Sequence, residues 1–104
     1  MLKIMDVYAQ AMKACVEGRY GAAVQDFKWL HDHENDDSLE YRKMRRGYVL
    51  TSWIALGKFS YPPALDALKE VLHAKQLRID AGEVDSELLL DVEEIKNRLS
   101  QLDY

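Results

Sequence analysis

Apolar residues recur at three- and four-residue steps through most of this chain, the spacing of amphipathic helices rather than the alternation of strands. Met5, Tyr8, Ala9, Met12, Cys15 and Val16 share one face of a first helix over residues 2–16. Gly18 then supplies a left-handed stop. Ala23, Val24, Phe27 and Leu30 give a second helix from residue 20 to residue 30 or 31, and a polar connector without periodicity follows to residue 37. The third helix has the clearest start signal. Asp37-Ser38-Leu39-Glu40 has the form of a capping box, in which Asp37 accepts from first-turn amides and Glu40 reaches back.

That helix is expected to run to Leu56 and stop at Gly57, and its halves differ. Tyr41, Met44 and Tyr48 share a face opposite four basic residues, whereas 49–56 is apolar almost all round and predicts the centre of the core. Pro62 and Pro63 suit the first turn of a fourth helix, where a missing amide donor costs little. Ala64, Leu65, Leu68, Val71, Leu72 and Leu77 give that helix a wide buried face. Gly82 ends the region, and Asp85 or Ser86 caps a fifth helix carrying Leu88, Val92, Ile95, Leu99 and Leu102 at heptad spacing. Two heptads are too few for a free coiled coil, so this face packs on the preceding hairpin or on another subunit. Glu87, Asp91, Glu94 and Arg98 are expected to stay in solvent. The fold class predicted is all-α with about five helices, in a single domain over residues 1–104.

Composition narrows the function classes. Apolar residues make up 48% and charged residues 31%, a globular rather than a disordered balance. The first 52 residues are balanced in charge, and the formal net charge of −4 comes from the remainder. A nucleic-acid binder needs a basic surplus to neutralise phosphates, so no nucleic-acid partner is expected. The single cysteine, Cys15, excludes an intrachain disulfide and a multi-thiolate metal site within one chain. With no leader-like apolar run at the start and no stretch long enough to span a bilayer, a cytoplasmic location and no membrane contact are expected.

Gly18-Arg19-Tyr20-Gly21-Ala22-Ala23-Val24-Gln25-Asp26-Phe27 reads G-x-Y-x-x-A-x-x-x-F. The small alanine lets two helices approach, and the phenylalanine one turn later fills the space beside it. The stretch resembles the second helix of a tetratricopeptide repeat. Tyr61-Pro62-Pro63-Ala64 repeats the Y-x-x-A element 41 residues later, with Leu68 where Phe27 stood. Trp53-Ile54-Ala55-Leu56-Gly57 followed by that element is also similar to a group of small bacterial repeat proteins. The resemblance implies two divergent helix hairpins plus a C-terminal capping helix. It implies a protein- or peptide-binding adaptor, with helices one and three lining the groove. It brings no enzymatic activity and no cofactor. The core is expected around Ala23, Phe27, Trp53, Leu56, Ala64 and Leu68.

The candidate binding residues are Arg42, Arg45, Arg46, Val49 and Trp53. Arg42, Arg46, Val49 and Trp53 fall on one helical stripe, where guanidinium groups would take carboxylates and tryptophan an apolar side chain of an acidic partner. The lysine–asparagine pattern with which some family members clamp an acidic C-terminus is absent. The competing reading is a solvated basic face with Trp53 in the core. His31, Asp32, His33 and Glu34 offer metal donors, but on a helix His31 and His33 diverge, so no metal site is expected. No nucleophile–base constellation and no phosphate-cradling loop is present, and no catalysis is expected. A homodimer joined through the C-terminal helix is the alternative to the adaptor.

Overall fold

A computed structural model describes residues 3–32, 43 and 45–102 of the chain. Among these residues lie five α-helices: α1 (Lys3–Val16), α2 (Tyr20–Asp32), α3 (Leu50–Phe59), α4 (Pro63–Asp80) and α5 (Ser86–Ser100). A π-helical turn, Arg45–Val49, runs directly into α3. No strand occurs among the described residues, and the fold is all-α. None of these helices is long and apolar enough to cross a membrane. The expected capping box at 37–40 lies outside the described residues.

The turns follow local chemistry. Gly18 has φ +80° and Gly82 φ +101°, a left-handed backbone that side chains with a Cβ resist. Both close helices in the same way: Arg19 N–H donates to Ala14 O at 2.8 Å, and Glu83 N–H to Arg78 O at 3.1 Å. α4 opens on Pro62 and Pro63, as predicted. Asp85, with extended backbone, caps α5 by accepting from Glu87 N–H at 2.9 Å.

The helices pack in two layers, and the molecule is a slab measuring 40 × 39 × 18 Å. α1, α3 and α5 form one layer. Tyr8 on α1 hydrogen-bonds Ser52 on α3 at 3.1 Å, and Arg98 on α5 donates to Thr51 on α3 at 2.8 Å. α2 and α4 pack on each other in the second layer. Between the layers lie Ala23, Phe27, Trp53, Leu56, Ala64 and Leu68, all buried. The Trp53 ring stacks on Phe27 at 5.7 Å between centroids, and its Nε1 donates to Ala64 O at 2.8 Å. Leu88, Val92 and Ile95 are buried within the chain, so this part of the α5 heptad face packs on the rest of the fold.

Two expectations are corrected here. The third helix does not stop at Gly57 but continues to Phe59, and Gly57 is a point of close approach. A Cβ there would lie 2.5 Å from Leu65 Cγ and 3.1 Å from Leu65 N. Tyr48 is 71% exposed rather than part of the apolar face. The π-turn adds a residue to the helical register, so positions before it do not continue the face that follows it.

The glycines give a prediction of opposite signs. Gly57→Ala is expected to cost roughly 1–3 kcal/mol, because Leu65 and its backbone must shift, which outweighs alanine's helix propensity. At Gly21, exposed in α2 with nothing within 4 Å of an added Cβ, alanine is expected to stabilise by roughly 0.5–1 kcal/mol. Urea midpoints of the two variants on either side of the parent would check both.

Candidate functional site

α3 and α5 run in the same direction. Arg46, just before α3, meets Glu87 and Asp91 near the start of α5. Thr51 meets Arg98 further along, and Phe59 shares a cleft with Leu102 at the far end. Two open clefts lie along this seam, one on each side of the Arg98–Thr51 bridge. The first, about 610 Å³, is lined by Lys43, Arg46 and Gly47 on one wall and by Leu90, Glu93, Glu94 and Asn97 on the other. The second, about 280 Å³, lies between Thr51, Ile54, Lys58 and Phe59 and the α5 residues Arg98 and Leu102.

The five candidate binding residues fare differently. Val49 and Trp53 are fully buried and belong to the core, so neither side chain lines an open groove. The place of Trp53 is explained by Phe27 and His31 of α2 and by Ala64 of α4, which close over its ring. Arg46 borders the larger cleft, but its guanidinium is turned to α5, with Nη1 at 2.8 Å from Glu87 Oε1 and 3.1 Å from Asp91 Oδ1. Arg45 lies in the π-turn. Arg42 lies outside the described residues.

Beneath the seam sits an ionic cluster centred on Asp91, a residue expected in solvent. Asp91 is fully buried. Its Oδ2 lies 3.4 Å from Lys75 Nζ, and Lys75, only 4% exposed, also donates to His31 O at 3.4 Å. Burial pulls the Arg46 guanidinium pKa down. The hydrogen bonds and charges of Glu87 and Asp91 outweigh that effect and leave it above its ordinary value. Arg46 therefore stays charged throughout the accessible pH range. Arg98 completes the joint, donating to Glu94 at 2.7 Å, Thr51 Oγ1 at 2.8 Å and Arg46 O at 3.2 Å. The π-turn is thus tied to α5 by both arginines.

The signal for this cluster was present in the helical spacing. Asp91 falls three residues after Leu88 and four before Ile95, on the buried stripe of α5. Lys75 follows Leu68, Val71 and Leu72 on the facing stripe of α4 in the same way. Opposite charges on two facing apolar stripes indicate a buried pair.

His31 is likewise buried, its ring edge-on to Trp53 at 5.7 Å, which places it in the core rather than in a metal shell. Among the described residues, no group of three or more His, Cys, Asp and Glu could hold a metal ion. His33 and Glu34 lie outside them. Burial pushes the Cys15 thiol above its ordinary pKa. The thiol is expected to remain protonated at neutral pH and to react with iodoacetamide more slowly than it does in urea-unfolded chain. Equal rates in the two states would contradict its burial.

In comparisons with known proteins, no family model, curated protein or solved structure matches this chain. The tetratricopeptide resemblance therefore rests on the chain's own residues.

Proposed function

We propose that this domain is a small helical-repeat adaptor, without catalytic activity, that binds a segment of another protein along the seam between α3 and α5. One observation carries the reading: two helices of a packed layer flank an open cleft of about 610 Å³ edged by both polar and apolar side chains. Such a surface offers hydrogen bonds to an extended or helical segment and an apolar seat at Leu90, 46% exposed. The repeat reading is supported by equivalent roles at equivalent positions. Ala23 and Ala64 are both buried, as are Phe27 and Leu68, and the rings of Tyr20 and Tyr61 meet at 5.7 Å. The groove differs from the expected one, using α5 beside α3 rather than the stripe through Val49 and Trp53.

The test is selection of displayed random dodecapeptides on the purified chain, followed by affinity measurement for the selected peptides. Leu90→Asp and Asn97→Ala are expected to weaken binding about tenfold or more while leaving the thermal melt within a few degrees of the parent. Undiminished binding by both variants would move the site elsewhere. Failure to select any peptide would count against an adaptor.

A further inference from the structure

The second cleft gives the seam an electrostatic direction. Its wall from α3 carries Lys58, exposed, with Nζ 5.3 Å from the centroid of the Phe59 ring. Phe59 is itself 76% exposed, a large aromatic surface left in water at the end of a helix whose other face forms the core. Across the cleft stands Arg98, with Leu102 beside it, and Ile54 contributes apolar wall. Among the described residues no carboxylate lines this cleft, although the chain as a whole carries a formal net charge of −4. The larger cleft at the other end is lined by Glu93 and Glu94 as well as by Lys43 and Arg46. Among the described residues, one end of the seam is therefore cationic and apolar, and the other is of mixed charge.

We propose that the cleft between Lys58, Phe59 and Arg98 takes an internal segment of a partner protein in which an apolar side chain is flanked by aspartate or glutamate. This inference rests on the adaptor reading and names the chemistry of its partner. The apolar side chain lies against Phe59, Ile54 and Leu102, removing aromatic surface from water. The adjacent carboxylate is held by the Lys58 ammonium, which has the freedom of an exposed side chain to turn toward it. Arg98 supplies positive potential but is already engaged by Glu94, so Lys58 is the residue on which discrimination between acidic and basic segments depends.

The experiment uses the full chain, labelled with nitrogen-15, and two series of synthetic dodecapeptides. Both carry a central leucine or phenylalanine, flanked by glutamates in one series and by lysines in the other. The glutamate series is expected to bind at least about tenfold tighter, to weaken with added salt, and to shift the amides of Thr51, Ala55, Lys58, Arg98 and Gln101. Lys58→Glu is expected to reverse the preference. Phe59→Ala is expected to weaken both series with an unchanged melt, since both side chains are exposed and neither variant disturbs the core. Equal binding of the two series, or shifts confined to Gly47, Leu90 and Asn97, would overturn the proposal and leave the adaptor reading standing. So would no binding of either series to a chain that still binds display-selected peptides. If selected peptides also fail to bind, the adaptor reading falls with it.

Discussion

Trp53→Ala is expected to destabilise the domain by about 3–5 kcal/mol, a large share of the ~5–15 kcal/mol that holds a typical domain folded. Trp53 is fully buried and makes three kinds of interaction at once. It stacks on Phe27, meets the His31 ring at a steep angle of 65°, and donates Nε1–H to Ala64 O at 2.8 Å. Alanine would leave a cavity where α2, α3 and α4 meet, and close-packed walls do not collapse fully into such a space. Trp53→Phe keeps most of the apolar volume but loses the indole donor, so it should cost distinctly less than alanine. Urea denaturation followed by circular dichroism would read both. A midpoint unchanged by Trp53→Ala would show that the ring is not at the centre of the fold.

The second large effect is expected at Asp91. Asp91→Ala should cost about 3–5 kcal/mol, because it leaves the Lys75 ammonium buried without its carboxylate. The double variant Asp91→Leu/Lys75→Met removes both charges and both desolvation penalties. It is expected to lie near the parent in stability, or above it by about 1–4 kcal/mol. The strong non-additivity between single and double variants is the quantity to measure. A double variant as unstable as Asp91→Ala would show that the pair contributes more than its mutual neutralisation. Arg46 should be less sensitive to the loss of Asp91 than Lys75, because Glu87 still faces it at 2.8 Å.

How far the fold could be read in advance depended on which signals act locally. Gly18, Gly82 and the Pro62-Pro63 pair determine their own backbone and were placed correctly from their neighbours alone, and the cap of α5 was narrowed to Asp85 or Ser86, of which Asp85 is the cap. The six core positions were also legible, because the spacing of Ala23, Phe27, Ala64 and Leu68 needs only a regular helix to bring them inward. The π-turn was not legible. A uniform period of 3.6 carries the basic face of residues 42–46 straight into Val49 and Trp53, and an extra residue in the turn breaks that continuity. Gly57 was read as a terminator because glycine usually is one; its role here is set by Leu65, a residue on another helix. Asp91 was assigned to solvent by its charge, although its spacing put it inside, and Lys75 was passed over on the facing stripe. Of the candidate residues, Arg46 borders the larger cleft, but its pairing with Glu87 and Asp91 was not legible, since pairing across helices is tertiary information.

The π-turn has a further consequence when regarded as a single inserted residue. In an uninterrupted α-helix, each position is turned about 100° from the last, so the orientation of Trp53 would dictate that of Arg46. The insertion changes the angle between the two. Trp53, after the turn, points between α2 and α4, while Arg46, within the turn, points at α5. Deleting Gly47 would restore the common register and force a choice: either the indole leaves the core, or the guanidinium turns away from Asp91 and Glu87. The one-residue excess therefore lets a single helix satisfy two neighbours whose directions no regular helix could meet together.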